Sequence, residues 1–228
     1  MSVVVYFHSR KGLTSRCVLT LRNVIAYGED MKLEVFSDMV CPWCYIGKRQ
    51  LDIALATVNR PVEVVWRSFQ LDPDYPSDVV WTLPEAHRLR YGISQVENDR
   101  RLALVSAIAA EVGLDYHLHQ AVMANTFDAH RLVHHGNAHG KGAEVVEALM
   151  RAYAIEARWI GDPATLEDIA SQVGLPPLPP DAYAAEVKAD RVRARRYGIT
   201  GVPTIVLNEE RVLGAPTVEI LTEVLRRA

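Results

Sequence analysis

The stretch SDMVCPWCYIGKRQLDIAL, residues 37–55, carries two cysteines, Cys41 and Cys44, where one type of secondary structure gives way to another. Before it, residues Lys32–Ser37 alternate apolar and polar side chains, a pattern that predicts a β-strand. After the cysteines, apolar residues recur at helical spacing. This predicts a helix from Pro42 to about Val58, with the proline in its first turn. The two cysteines should therefore lie at the N-terminus of a helix that follows a strand.

A cysteine pair in this position has two chemical consequences. The CxxC spacing lets both sulfurs meet across one helical turn, so they can form a disulfide or open to a dithiol. The unpaired backbone N–H groups at the positive end of the helix favour the thiolate form of Cys41. We therefore expect Cys41 to be an exposed nucleophile, and Cys44 to be a shielded partner that resolves a mixed disulfide.

A cysteine pair of this kind can form a redox centre, half of a metal site, or a structural disulfide. The number of cysteines in the chain helps to decide between the three. The chain has 228 residues and three cysteines, of which the third is Cys17. A disulfide-rich secreted domain normally carries more cysteines, and a zinc site usually takes a second ligand pair. Here a metal would depend on histidines, such as those in 130–139, for which capping and surface roles are the simpler interpretation. The count favours a redox-active pair, and we predict no metal and no bound cofactor.

Composition and charge exclude several classes of partner. The hydrophobic fraction is 49% and the charged fraction 23%, values typical of a globular protein with a sizeable core. The formal net charge of −3 gives no electrostatic reason to expect nucleic acid. The sequence holds no apolar run near the length needed to cross a bilayer. We therefore expect neither a nucleic-acid nor a membrane partner.

The rest of the chain predicts an α/β module divided by helices. A second strand candidate follows Pro61, so the opening reads as strand, helix, strand, which is long enough for a βαβ unit. From Thr82 to about Gly174 the pattern is helical throughout, and a further helix is predicted from about Pro180 to Tyr197. A hairpin around Glu209 and a helix opened by Pro216 end the chain.

These elements divide the chain into three parts. Residues 31–75 and 185–228 form the predicted α/β domain, and residues 76–184 form a helical insertion domain. Residues 1–30 form an N-terminal extension that we expect to be poorly ordered. The extension has four basic residues and no acid before Glu29. That pattern is found in organelle transit sequences, but it also fits an unstructured tail or a start codon placed upstream of a natural start at Met31.

A second motif, GITGVPTIVLN (198–208), places Pro203 directly before a predicted strand. Proline cannot donate a hydrogen bond to a sheet, so its position there calls for a reason. A cis Val202–Pro203 bond would let Val202 pair through its backbone with an extended substrate beside the cysteines. The alternative is an ordinary trans proline at the start of a strand.

Together, CPWC (41–44) and GITGVPTIV (198–206) resemble the redox pair and the cis-proline loop of the thioredoxin superfamily. About 160 residues separate Cys44 from Pro203, and a long helical insertion between these motifs is what the DsbA-like family has. Within that family the chain is most similar to the FrnE-type subgroup, and the resemblance covers Met31 to Ala228. Four further stretches carry it: SDMVCPWCYIGKRQL (37–51), WRSFQLDP (66–73), NTFDAHRLVHHG (125–136) and IGDPATLEDIA (160–170).

The resemblance implies a thioredoxin-like α/β fold, a central mixed β-sheet with flanking helices, interrupted by a large all-helical insertion domain that lies over the active site. Trp43 stands where DsbA itself has a histidine that helps stabilise the thiolate, so a strongly oxidising reduction potential does not follow. The implied site consists of catalytic Cys41 and Cys44, the active-site loop residues Pro42 and Trp43, and the substrate-binding residues Val202 and Pro203.

The implied activity is that of a thiol-disulfide oxidoreductase or isomerase acting on protein or small-molecule thiols and disulfides. Glutathione or thioredoxin would be the electron partner, a homodimer is one possible assembly, and the lack of a secretory signal predicts a cytoplasmic location. Asp38 is a candidate proton shuttle for the shielded cysteine, or else caps the loop before the helix.

Two other functions stay open. One is a glutathione-dependent isomerase or transferase of the 2-hydroxychromene-2-carboxylate isomerase or kappa-class type. Those enzymes are similar in architecture but bind glutathione against a single serine, where this chain has Cys41. The other is a non-enzymatic holdase-like or metal-binding module that uses the helical insertion as an apolar surface.

Overall fold

The computed structural model of the chain describes residues 3–6, 16–19 and 31–227, which contain six strands and eight helices. The strands are β1 (Val3–Tyr6), β2 (Arg16–Leu19), β3 (Met31–Ser37), β4 (Val62–Ser68), β5 (Thr204–Leu207) and β6 (Arg211–Gly214). The helices are α1 (Pro42–Leu55), α2 (Leu83–Leu89), α3 (Gln95–Glu111), α4 (Phe127–Ala138), α5 (Gly142–Ala154), α6 (Pro163–Val173), α7 (Ala184–Arg196) and α8 (Val218–Arg227).

A mixed four-stranded sheet in the order β4-β3-β5-β6 positions the CPWC motif. Strand β3 runs parallel to β4, with Met31 opposite Val62, and α1 makes the connection that a parallel pair requires. Strand β5 pairs antiparallel with β3 and then with β6 through a tight turn at Asn208 and Glu209, whose φ angles are 47° and 63°. The predicted βαβ unit and the predicted hairpin are both confirmed.

Helix α1 starts where the sequence predicts and ends three residues early. Pro42 occupies its first turn, where a missing N–H costs no helical hydrogen bond. Its apolar face, including Leu51 and Ala54, is buried in the main core. The helix ends at Leu55 rather than Val58 because the backbone N–H and hydroxyl of Thr57 both bind the Ala54 carbonyl, at 3.0 and 2.7 Å.

Helices α2 to α6 form an insertion between β4 and α7, with α4 packed against α5 and α5 against α6. The predicted helical pattern from Thr82 to about Gly174 is wrong for residues 112–126. That segment pairs instead with the chain before α2: the Leu83 N–H donates to the Ala121 carbonyl at 2.7 Å, and Thr82 and Val122 form an antiparallel bridge. Extended backbone satisfies its hydrogen bonds there across the insertion rather than within a helix.

Two helices begin later than the sequence predicts. Helix α7 starts at Ala184 rather than at Pro180, because Asp181 and Tyr183 adopt left-handed φ angles of 56° and 63° that no α-helix contains. Helix α8 starts at Val218 rather than at Pro216. The Thr217 carbonyl accepts from the Leu221 N–H at 2.9 Å, so Thr217 takes the capping position that precedes the helix.

The N-terminal extension contains β1 and β2, which pair antiparallel with Val3 opposite Leu19. Cys17 lies in β2. The other residues of 1–30 fall outside the described part of the chain, so the expectation of a poorly ordered extension stays a prediction, as do the domain boundaries. Among the described residues, no helix has both the length and the apolar character to cross a bilayer.

Candidate active site

The two cysteines of the CPWC motif face each other across the first turn of α1. Cys41 is the residue that precedes the helix, with φ −94° and ψ 110°, and its carbonyl accepts from the Cys44 N–H at 3.0 Å. Both side chains are free thiols, and the Cys41 thiol is close enough to Cys44 to help raise its pKa. The sulfurs therefore lie within reach of each other, as the CxxC spacing predicts.

The electrostatics of the site differ between the two sulfurs. The first turn of α1 holds no acidic residue, and no side chain caps its N-terminus, so the partial positive charge there is not neutralised by a neighbouring side chain. Burial raises the pKa of Cys44 well above its usual value, and the hydrogen bond and charge of Cys41 raise it further. The arrangement keeps the proton on Cys44.

The expectation that Cys41 is exposed is wrong, because its side chain is only 5% exposed. The insertion lies over the first turn of α1, where the Tyr116 hydroxyl donates to the Pro42 carbonyl at 2.6 Å. Trp43 is the exposed member of the motif, with 45% of its surface accessible. Cys44 is buried, as predicted.

A cavity of about 710 Å³ gives Cys41 its access to a reaction partner. Cys41 and Asp38 line it from the α/β side, and apolar residues of the insertion such as Leu102 and Val105 line it from the other. The charges of Arg90 in its wall are matched by a two-point contact with the Asp72 carboxylate, at 2.6 and 2.9 Å. The cavity is therefore mostly apolar, which is typical of small-molecule and peptide side-chain sites.

The loop that contains Pro203 contacts α1, the helix that carries the cysteines. The Val202–Pro203 bond is cis, as the resemblance to the thioredoxin cis-proline loop implies. The Pro203 ring packs against the second turn of α1 at Gly47, where an added Cβ would lie 2.9 Å from the Pro203 Cγ. Glycine is required for so close an approach. The loop that carries Val202 thus packs against the helix that carries both cysteines.

Asp38 lies beneath the cysteines as a buried carboxylate that joins two loops. Its Oδ1 accepts from the Met39 N–H at 2.8 Å, and its Oδ2 accepts from the Leu71 N–H at 2.7 Å. Its backbone carbonyl accepts from the Cys41 N–H at 3.2 Å, at the start of α1. The capping interpretation of Asp38 is confirmed, and its role as a proton shuttle stays a prediction.

The sequence does not predict which residues of the insertion contact α1. The Tyr116 and Tyr45 rings stack with centroids 6.1 Å apart. The Tyr45 hydroxyl donates to Glu147 at 2.6 Å, and the buried Lys48 ammonium lies 2.8 Å from the same carboxylate. Nothing in the local sequence of Tyr116 or Glu147 marks them, because their partners lie far away along the chain.

Two histidines of α4 lie beside acidic side chains. His134 lies 3.0 Å from both the Ser68 hydroxyl and the Asp190 carboxylate, and His130 lies 3.3 Å from Asp38. In the part of the chain that the structure describes, no three histidine, cysteine or acidic side chains cluster as metal ligands would.

The sequence profile of the DSBA-like thioredoxin domain matches residues 32–226. The chain belongs to this family. The matched range begins with β3 and ends in α8, so it includes the CPWC motif, the insertion and the cis-proline loop, and it leaves out the N-terminal extension.

Solved structures share the DSBA-like fold. A probable DsbA oxidoreductase from Streptomyces coelicolor is 35% identical, with a TM-score of 0.80 over 86% of this chain and 89% of its own. The cytosolic disulfide reductase DsbM from Pseudomonas aeruginosa, also solved with glutathione, is 22% identical, with a TM-score of 0.55 over 86% and 95%. A 2-hydroxychromene-2-carboxylate isomerase is 14% identical, with a TM-score of 0.59 over 85% and 92%.

The last two similarities, at such low identity, show the fold alone. The predicted thioredoxin-like fold with a helical insertion is confirmed by the family match and by the four-stranded mixed sheet.

Proposed function

We propose that the chain is a thiol-disulfide oxidoreductase or isomerase that exchanges disulfides with protein or small-thiol substrates through Cys41 and Cys44. The observation that carries this proposal is the meeting of two free thiols in the first turn of α1. Family membership and the packing of Pro203 against the same helix support it.

The reaction has two steps. The Cys41 thiolate attacks one sulfur of a substrate disulfide, the substrate S–S bond breaks, and one substrate thiolate leaves. Cys44 then loses its proton and attacks the Cys41 sulfur, which breaks the mixed disulfide and releases the second thiolate. The substrate gains two electrons and the cysteine pair loses two, so glutathione, thioredoxin or a similar thiol must reduce the pair again.

Asp38 is the base that we propose for the second step. Because the pKa of Cys44 is raised by burial and by Cys41, its proton does not leave at neutral pH without a nearby acceptor. The Asp38 carboxylate is buried, and its charge acts on Cys44. Val202, half-buried beside Pro203, would present its backbone to an extended substrate, while the cavity takes an adjoining apolar group.

We further propose that the chain belongs to the FrnE-type subgroup and works in the cytoplasm. The stretches NTFDAHRLVHHG and SDMVCPWCYIGKRQL support the subgroup. Similarity in fold to a cytosolic disulfide reductase that has been solved with glutathione supports the compartment and a small-thiol electron partner. We propose no nucleic-acid partner and no bound cofactor, and the oligomeric state to be tested is a homodimer.

The alternative, a glutathione-dependent isomerase or transferase, is favoured by one observation. The fold is similar to that of a 2-hydroxychromene-2-carboxylate isomerase. The cavity of about 710 Å³ would hold a small aromatic substrate as well as a peptide side chain. This function needs only one nucleophile at position 41, so the second cysteine is the feature that argues against it.

Insulin reduction, followed as turbidity with glutathione or a dithiol as reductant, tests the proposal. We expect the wild type to accelerate precipitation and Cys41→Ser to be inactive. Equal rates for both proteins would contradict it. Calorimetric titration with glutathione addresses the alternative: tight, saturable binding without any disulfide reduction would support the isomerase or transferase.

A further inference from the structure

His130, in α4 of the insertion, is a fully buried imidazole placed against the Asp38 carboxylate. Its side chain is 0% exposed, and its Nε2 lies 3.3 Å from the Asp38 Oδ1. The two groups are close enough for an ion pair but are not aligned for a hydrogen bond. Neither ring nitrogen has a hydrogen-bond partner among the described residues. A buried polar group without partners costs free energy, so its presence calls for a functional explanation.

The Asp38 carboxylate is anchored by the backbone on both sides. Both of its oxygens already accept a backbone N–H, from Met39 at 2.8 Å and from Leu71 at 2.7 Å. These hydrogen bonds fix the carboxylate beside His130, whose Nε2 lies 3.3 Å from Oδ1. A proton that Cys44 passes to this carboxylate can then move to a second acceptor beside it.

Other titratable side chains around the carboxylate do not supply that acceptor. Burial raises the pKa of Tyr153 in α5, and the charges of Cys41 and Asp38 raise it further, so this phenol stays neutral. The Lys48 ammonium is held between the Asp52 and Glu147 carboxylates, at 2.8 Å from each. An imidazole is the side chain whose ordinary ionisation range lies near neutral pH.

We propose that His130 is a positioning residue for the second step of exchange, and that it takes up through Asp38 the proton that Cys44 gives up. This inference rests on the proposed thiol-disulfide exchange. The Cys44 S–H bond breaks, its proton moves through the Asp38 carboxylate to the imidazole, and the Cys44 thiolate attacks Cys41. Return of the proton to the departing thiolate or to solvent resets the imidazole, and no further oxidant or reductant is needed.

Dithio-bis-nitrobenzoate, an aromatic disulfide that releases a coloured thiolate at each step, separates the two attacks. All proteins would carry Cys17→Ser, so that only the CPWC thiols react. The first coloured thiolate leaves when Cys41 attacks the reagent. The second leaves when Cys44 resolves the mixed disulfide. Stopped-flow absorbance then gives a rate for each step in a single reaction.

We expect His130→Gln to leave the first phase within about twofold and to slow the second on the order of tenfold or more, since a positioned proton acceptor contributes at least that much. The second phase of the variant should also become more strongly dependent on pH, because hydroxide replaces the imidazole. The titratable groups that act on this step are Cys41, Cys44, Asp38 and Tyr153; they are unchanged in the variant.

His134→Gln is the matched control, because His134 is buried in the same helix but contacts Ser68 and Asp190 rather than Asp38. His130→Asn is the second variant, in case the glutamine disturbs packing. Equal slowing of both phases by either His130 substitution, or no slowing of the second, would overturn the role of His130 while leaving the exchange reaction intact. A wild-type protein that releases only one coloured thiolate would instead overturn the proposed function.

Discussion

Replacing Glu34 by glutamine should destabilise the fold, because the Glu34 carboxylate in β3 is 1% exposed and balances two arginines behind the sheet. Its Oε1 lies 2.5 Å from the Arg67 guanidinium, and its Oε2 lies 2.8 Å from that of Arg193. Tyr197 donates a hydrogen bond to the same Oε2 at 3.0 Å. Glutamine keeps the shape of the side chain and removes only its charge.

The size of the loss in unfolding free energy depends on the contacts that each arginine keeps. Removing one partner of a fully buried ion pair costs about 3–5 kcal/mol. Here Arg67 still lies 3.4 Å from Asp190, Arg193 still lies 2.7 Å from Glu209, and both arginines are partly exposed to water. We therefore expect a loss of about 2–3 kcal/mol at neutral pH, at or just below the lower end of that range.

The loss should depend on pH in a defined direction. Burial alone would raise the pKa of Glu34, but hydrogen bonds from Arg193 and Arg67 outweigh it and place the pKa below the ordinary value of 4.5. A carboxyl whose pKa is lowered by folding stabilises the protein above its unfolded pKa, and that stability is lost as the pH falls through the folded pKa. The difference between wild type and Glu34→Gln should thus be full at neutral pH and shrink below about pH 4.5.

Urea unfolding followed by tryptophan fluorescence, at neutral and at acidic pH, measures this difference. Glu97→Gln is the control, because the Glu97 carboxylate also binds two arginines, Arg100 and Arg101, but at the surface. We expect that variant to match the wild type. A loss below about 1 kcal/mol for Glu34→Gln at neutral pH, or a loss that does not change with acid, would show that the charge of Glu34 does not stabilise the fold as proposed.

Two further substitutions test the contacts that enclose the cysteines. Tyr116→Phe removes the 2.6 Å hydrogen bond to the Pro42 carbonyl. We expect it to lower the free energy of unfolding in urea by about 1–2 kcal/mol and to speed the alkylation of Cys41. Unchanged alkylation would show that Tyr116 does not cover the thiol. Gly47→Ala places a Cβ 2.9 Å from the Pro203 Cγ. The overpacking should cost about 1–3 kcal/mol of folding stability, partly offset by about 1 kcal/mol because alanine favours a helix over glycine. We therefore expect a small loss of thermal stability and a larger relative loss of insulin reduction. Full activity in that variant would argue that the position of the cis-proline loop is not critical.

The local elements of the fold are readable from the sequence because their signals are local. Alternation in β3, and Pro42 in the first turn of α1, place the cysteines at a helix N-terminus without any tertiary information. The same alternation does not show that Glu34 is buried. Its neighbour on the same face of the strand, Phe36, packs against Ala194 and Val206 in a second buried cluster. A strand that is covered on both faces buries its polar positions too.

Distant contacts explain the other differences. Cys41 loses its exposure to a segment that carries Tyr116, and residues 112–126 leave the helical pattern because they pair with the chain around Thr82. His130 belongs to a stretch that resembles the family, but only the structure shows that its ring lies against Asp38. Sequence patterns report the face of an element, and they do not report which distant side chain meets that face.

In the proposed exchange, Cys41 attacks the substrate disulfide and Cys44 resolves the mixed disulfide. Mass spectrometry after brief treatment with oxidised glutathione tests it directly, in proteins that carry Cys17→Ser. We expect Cys44→Ser to accumulate one glutathione on Cys41, whereas the protein with both CPWC cysteines should form the Cys41–Cys44 disulfide and carry no adduct. A stable glutathione adduct in the presence of Cys44, or no modification of Cys41 in either protein, would contradict it.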